Sequence, residues 1–372
     1  MEIDANDENI WRSKYVYTLY GWDISYFTGK FQCYMRYKDI PHNFVEPNWW
    51  TLSTVIHHNT GLMKCPVVSV QAKDTTKTIM DKNGKELPKE LWLQDSTPMI
   101  EWFEERFKNG SVLPSDPFQN FFVRLVEDYA DEWMWRPALH YRWSYSTDAQ
   151  LNVTRFANEF LYDMPVPKFI IKQLTWDRQV KEYVTGDGIR DKETRAHTEQ
   201  TYLTALKRLQ AILEKTPFLL GDKPSMADFG FFASMFRHFG LDPTPSRIMR
   251  YEAPAVFEWL ARMWNAKYHK LANAKWHPEG ALPDTWIPLL EDIGRTYFPY
   301  LHANAMAFKN GKKTFDLEIE GVTYRQLPVV HYRVWCRERL QSFYNNLPSD
   351  VQPRVRQLLE QTGCWATFMK DG

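Results

Sequence analysis

At 372 residues the chain exceeds what one hydrophobic core ordinarily serves, so at least two cores are expected. Lys plus Arg and Asp plus Glu stand equal at 46 each, which removes the positive field that phosphate-backbone binders rely on and excludes nucleic acid as the expected partner. No run approaches the roughly 18 apolar residues of a membrane span. The start is acidic and polar, and Cys33, Cys65, Cys336 and Cys364 show neither C-x-x-C nor metal-ligand spacing. The expectation is a cytoplasmic protein with no disulfide framework, no metal and no membrane span.

In chain order, 15–20 is rich in aromatic and β-branched residues and stops at Gly21, as a strand does. After Ser25, the spacing of Phe27, Phe31, Tyr34, Met35 and Lys38 is helical. A helical or irregular part, 47–63, follows. Residues 67–70 and 91–93 read as an antiparallel strand pair, enlarged by an insertion whose Asn83-Gly84 is the favoured dipeptide of a two-residue hairpin turn. Ser96, with Pro98 in the first turn and a stripe of Ile100, Phe103 and Phe107, predicts a helix over 97–107. This order of elements is that of a thioredoxin-like half.

Two prolines and a glycine mark 110–117 as a linker. Beyond it, apolar residues at three- and four-residue intervals predict helices over 118–143, 196–214, 226–239, 253–266 and 285–308, an α-bundle. Residues 313–330 read as a hairpin about Glu320-Gly321, and helical periodicity resumes over 334–359. The expected units are therefore 1–112, 118–310 and a C-terminal extension, 311–372. The helix bearing Glu127, Asp128, Asp131, Glu132, Trp133, Trp135, His140, Arg142 and Trp143 has no E-x-x-H pair, so it reads as a partly buried helix with salt links rather than a metal carboxylate site. Ser225 and Asp228 form a capping box, a folding device.

Five segments, in order, resemble the glutathione transferase superfamily and especially its serine-type, tau-like members. Gly21-Trp22-Asp23-Ile24-Ser25-Tyr26-Phe27 is similar to their G-x-x-x-S-P-F, and Lys64-Cys65-Pro66-Val67 to their K-[IV]-P-V, in which the proline is cis. Asp95-Ser96 stands where they have Glu-Ser. Leu113-Pro114-Ser115-Asp116-Pro117-Phe118 with Arg124 resembles L-P-x-D-P-Y…R, and 220–228 resembles L-G-D-x-x-S-x-A-D. The resemblance reaches to about residue 270. It implies an α/β thioredoxin-like N-terminal domain and an all-α helical-bundle C-terminal domain, followed here by a hairpin-and-helix extension. It also implies glutathione as cosubstrate, a small electrophile as second substrate, a detoxification role and a homodimer. Ser25 becomes the catalytic residue, and Lys64, Cys65, Pro66, Asp95 and Ser96 the glutathione-binding set. Trp22, Tyr26 and Arg124 would line the second-substrate pocket.

The chemistry suits these residue types. A free thiol has a pKa of about 8.5, and the thiolate is the nucleophile, so a transferase must stabilise the anion. A hydroxyl at a helix start does so through a hydrogen bond and through the helix dipole; Ser25 is so placed, and Tyr26 is the rival donor. Pro66 would present the backbone edge of Cys65 to an extended peptide. Asp95 would take the γ-glutamyl ammonium, free N–H groups at the helix start the adjoining carboxylate, and Lys64 the glycyl carboxylate. The other readings are a noncatalytic scaffold of the same fold and a glutathione-dependent reductase, lyase or dehalogenase, which ordinarily has Cys where Ser25 stands.

Overall fold

The computed structural model describes residues 8–80 and 86–370. Helix α1 (Glu8–Lys14) leads into β1 (Tyr15–Tyr20), whose alternate residues Tyr15, Tyr17 and Leu19 are buried, as the period of a strand requires. There follow α2 (Tyr26–Tyr37), β2 (Asn43–Val45), a π-helical turn (Thr51–Ile56) running into α3 (His57–Thr60), β3 (Val67–Ala72), β4 (Ile79–Met80), β5 (Glu86–Leu87), β6 (Glu90–Gln94) and α4 (Ser96–Glu104). The main sheet has the order β2-β1-β3-β6, with β1 parallel to β2 and antiparallel to β3, and β3 antiparallel to β6. β3 is buried on both faces, so it reads as an apolar run, Val67, Val68 and Val70, rather than an alternation. α2 and α4 cover one face, and Leu52 and Ile56 pack with Val67 on the other.

This is the expected thioredoxin-like half, with one addition. The three-residue β2 is too short to show a period and is formed by pairing Thr18 to Asn43 and Tyr20 to Val45. In the insertion, β4 pairs with β5 antiparallel; the Asn83-Gly84 turn expected between them lies outside the described residues.

The helical half holds α5 (Pro117–Glu132), α6 (Trp135–Ser144), α7 (Ser146–Arg155), α8 (Lys168–Gln179), α9 (Lys192–Leu213), α10 (Met226–Ser234), α11 (Pro243–Glu252), α12 (Pro254–Asn265), α13 (Ile287–Asp292) and α14 (Phe298–Lys309). Asp116 caps α5 by accepting from the Gln119 N–H at 3.0 Å, with Pro117 at the first position. The single helix expected over 118–143 is broken at Trp133-Met134, since Pro137 fits only the first turn of a new helix. α10 is buried on every side and crosses α5 so closely that a Cβ on Gly230 would stand 2.9 Å from the Glu127 Cα. Its capping box is formed: the Asp228 carboxylate accepts from the Ser225 and Leu219 N–H groups, both at 2.9 Å.

The C-terminal extension comprises the hairpin β7 (Thr314–Ile319) and β8 (Val322–Pro328), then α15 (His331–Asn345), α16 (Gln352–Gln361) and α17 (Trp365–Phe368). The hairpin turn falls on Glu320 and Gly321, at φ 51° and 80°, the signs a two-residue type I′ turn needs. Tyr324, Leu327, Leu340, Val355, Leu359 and Phe368 enter the same continuous core as the sheet and bundle, so the extension is packed into the body. No helix of the described residues is long and apolar enough to cross a membrane.

Candidate functional site

Strand register gathers the three expected segments. Tyr20 lies opposite Val67, and Val67 opposite Gln94, so the residues just after β1, just before β3 and just after β6 emerge at one end of the sheet. These are 21–25, Lys64 to Pro66, and Asp95 with Ser96.

Ser25 is the N-cap of α2, in extended backbone at φ −82° and ψ 129°, and half-buried. Its Oγ accepts from the Thr28 N–H at 3.4 Å, a slack cap. Among the described residues nothing accepts from its hydroxyl, which is left available to a ligand. The loop before it is tied down at every residue. Gly21 N–H donates to the Val45 carbonyl at 3.0 Å, Trp22 Nε1 to the Pro47 carbonyl at 2.8 Å, and Asp23 N–H to Glu46 Oε1 at 2.9 Å. Ile24 is held from the helical half, its carbonyl accepting from Arg142 Nη1 at 2.8 Å.

Arg142 is a buried hub that sequence reasoning assigned only to salt links. It makes a two-pronged pair with Asp242, at 2.8 and 3.1 Å, and donates to the Arg237 carbonyl at 2.8 Å. His238 Nε2 lies 3.0 Å from Arg142 Nη1. Burial, and then the charge of Arg142, hold the His238 imidazole well below its usual range, so it is neutral. Arg237 in turn pairs with Asp23 at 3.1 Å. The helical half thus sets the position of the Ser25 loop.

The Cys65–Pro66 bond is cis. Cys65 is half-buried beside Leu52, Ile56 and Val67, and burial pushes its thiol up to about 12, so it stays protonated. Lys64 is exposed at the rim. Asp95 has φ 72°, a region that costs a non-glycine residue on the order of 1–3 kcal/mol and marks a held conformation. Burial pushes the Asp95 carboxyl up, more than the Tyr332 hydroxyl and Lys30 draw it down. Ser96 is buried at the start of α4, so the N-termini of both α2 and α4 face this end of the sheet.

Beneath Ser96 lies a fully buried ionic knot. Lys30 Nζ on α2 donates to Thr97 Oγ1 at 2.8 Å and pairs with Glu127 and Asp131 on α5. Burial pushes the ammonium down, but the two carboxylates outweigh it and hold it charged.

Of the residues expected at a second-substrate pocket, Trp22 stands at the mouth between the halves, its ring 5.1 Å from Phe160 and 6.2 Å from Phe156. Tyr26 is buried, and its hydroxyl donates to the Ala130 carbonyl at 2.5 Å, pointing into the bundle. Arg124 pairs with Glu101 on α4 and lies over the Phe343 ring at 4.4 Å, at the junction of α4, α5 and α15. The structure therefore brings together Ser25, Cys65, Pro66, Asp95 and Ser96 and sets Arg124 apart with the extension. The link from Arg142 to Ile24 carried no signal in the sequence, because no residue spacing joins them. Among the described residues no three His, Cys, Asp or Glu side chains gather as a metal site requires.

Residues 177–266, from the end of α8 to the residue after α12, match the family model for the glutathione S-transferase C-terminal domain. No curated protein matches the chain. Among solved structures, the chain is similar to the beta-etherase LigF of Sphingobium sp. strain SYK-6 at 18% identity, over 67% of this chain and 94% of that one, with a TM-score of 0.44. A glutathione S-transferase of Rhodospirillum rubrum F11 gives 15%, 73%, 98% and 0.41 in the same order, and the tau class enzyme of mango, Mangifera indica, 15%, 70%, 97% and 0.39. At this degree of overlap the structural likenesses carry no argument. The helical segment behind the thioredoxin-like sheet is thus similar to the C-terminal domain of glutathione S-transferases.

Proposed function

We propose that the chain is a glutathione transferase-like enzyme in which Ser25 stabilises the glutathione thiolate. The observation that carries this reading is the Ser25 hydroxyl, free to donate at the N-terminus of α2, with the cis-proline edge of Cys65 and the start of α4 at the same end of the sheet. The tripeptide would lie along the Cys65 backbone edge by strand addition, its γ-glutamyl end at Asp95 and Ser96 and its glycyl carboxylate toward Lys64. Ser25 would then donate to the sulfur, and the helix dipole would add to the field that favours the anion. The sulfur forms a bond to an electrophilic carbon as the leaving group departs with its electron pair. The aromatic lip of Trp22, Phe156 and Phe160 suits a small apolar electrophile.

Conjugation of an aryl halide by Ser25→Ala is the test. The rate should fall about ten- to a thousandfold while glutathione affinity stays within about a few-fold, because the lost bond serves the anion more than the bound tripeptide. Undiminished conjugation by the variant would overturn the assignment. Flow-through of the wild-type chain on glutathione-agarose would favour the scaffold reading instead.

A further inference from the structure

We propose that Ser144, His140 and Glu199 form a second catalytic site, a serine nucleophile with its base and an orienting acid, which cleaves small carboxylic esters by acyl transfer to Ser144. The three residues lie outside the Ser25 site, and the glutathione reading uses none of them. His140 and Ser144 stand four residues apart at the end of α6, so their side chains share a face, and Ser144 Oγ is 3.0 Å from His140 Nδ1. The other ring nitrogen, Nε2, lies 3.0 Å from Glu199 Oε1 of α9, which also accepts from the Tyr145 hydroxyl at 2.8 Å. With the Glu199 carboxylate as acceptor, Nε2 carries the ring proton and Nδ1 keeps its lone pair for the serine hydroxyl. His140 is buried, and burial lowers its imidazole more than Glu199 raises it, so the ring is a neutral base. Nucleophile to base and base to acid are both within hydrogen-bond reach, the arrangement that activates a serine.

Ser144 is half-buried and lines an open cleft of about 420 Å³ between α6, α8 and α9, which Trp143, Trp176, Val180 and Val184 also line, with Lys181 and Arg195. The chain leaves α6 at Tyr145 in extended backbone, φ −99° and ψ 126°, and begins α7 at Ser146. Among the described residues the backbone N–H groups of Tyr145, Ser146 and Thr147 have no acceptor, and neither has the buried indole N–H of Trp143. Unspent donors thus flank the nucleophile, two of them at a helix N-terminus, where the negative oxygen of a tetrahedral intermediate is favoured. The Ser144 oxygen bonds the ester carbonyl carbon as its proton passes to His140 Nδ1. The ester C–O bond then breaks, and the departing oxygen takes that proton and leaves as an alcohol. Water next gives a proton to His140 and its hydroxide to the acyl carbon, and the proton returns to Ser144 as the carboxylic acid leaves. The wall of tryptophan and valine suits a short apolar acyl chain.

The test treats the full chain with a fluorophosphonate, which phosphonylates activated serines, and locates the adduct by mass spectrometry; hydrolysis of p-nitrophenyl butyrate is followed beside it without glutathione. The adduct should lie on Ser144. Ser144→Ala should lower ester hydrolysis at least about a hundredfold, and so should His140→Gln, which can still donate to Glu199 but is no base. The labelled site is read in the wild-type chain, so it decides the matter whether or not a variant folds. An unlabelled Ser144 in the folded wild-type chain, an adduct on Ser25 in its place, or hydrolysis by Ser144→Ala at the wild-type rate would overturn the second site. Each of these would leave the glutathione reading as it stands.

Discussion

Replacing Arg142 by Met removes the group that couples the helical half to the loop before Ser25. The guanidinium is buried and bonds the Asp242 carboxylate and the Ile24 and Arg237 carbonyls. Breaking one partner of a buried pair costs about 3–5 kcal/mol, because the other charge is left without compensation. Asp242 keeps a bond from Asn152 Nδ2 at 3.0 Å, which argues for the lower figure. With a urea slope of about 3 kcal/mol/M for a chain of this size, the unfolding midpoint should fall by about 1 M. Urea titration followed by tryptophan fluorescence measures it. Adding Asp242→Leu should recover part of the loss, since the stranded charge then goes too. A midpoint shift below about 0.2 M, or a double variant as poor as the summed single losses, would refute the coupling.

Two further outcomes follow from buried side chains. Burial raises the Asp128 carboxyl to about 7, although Tyr297 donates to it at 2.6 Å. Its folded pKa lies above the unfolded value, so the stability it confers is full below about pH 4 and is lost as the pH rises to about 7. Asp128→Asn, which cannot titrate, should gain on wild type through that window by up to about 4 kcal/mol, read by thermal melts at stepped pH; a difference that does not vary with pH would contradict the shift. Tyr26→Phe should cost about 1–2 kcal/mol through the lost bond to Ala130 while conjugation stays within about twofold; a rate loss as deep as that of Ser25→Ala would transfer thiolate stabilisation to Tyr26.

What could be read from the sequence depended on how locally each feature is encoded. β1, α2 and the Ser25 cap announce themselves within a dozen residues by strand alternation, helical spacing and a capping hydroxyl, as do the Ser225–Asp228 box and the Glu320-Gly321 turn. β2 was missed because three residues carry no period and pairing to β1 alone makes them a strand. α8 was missed for the opposite reason: Phe169 and Leu174 are apolar yet 72% and 62% exposed, which blurs the stripe that marks a helix buried on one face. The hub at Arg142 joins Ile24, Arg237 and Asp242, which no spacing rule connects. Arg333 meets Glu132 only because the chain returns through α15 after more than half its length.

The buried knot of Lys30, Thr97, Glu127 and Asp131 bears on exchanging parts between chains of this fold. Two of its members belong to the sheet half and two to the helical half, so a hybrid cut at the 110–117 linker would marry an ammonium to a foreign surface. Unless the recipient offered two acids at matching places on its first bundle helix, the transplanted lysine would face hydrocarbon and the graft would fail to close. The two halves are therefore heritable as a set, and any engineered swap should carry Lys30, Glu127 and Asp131 together.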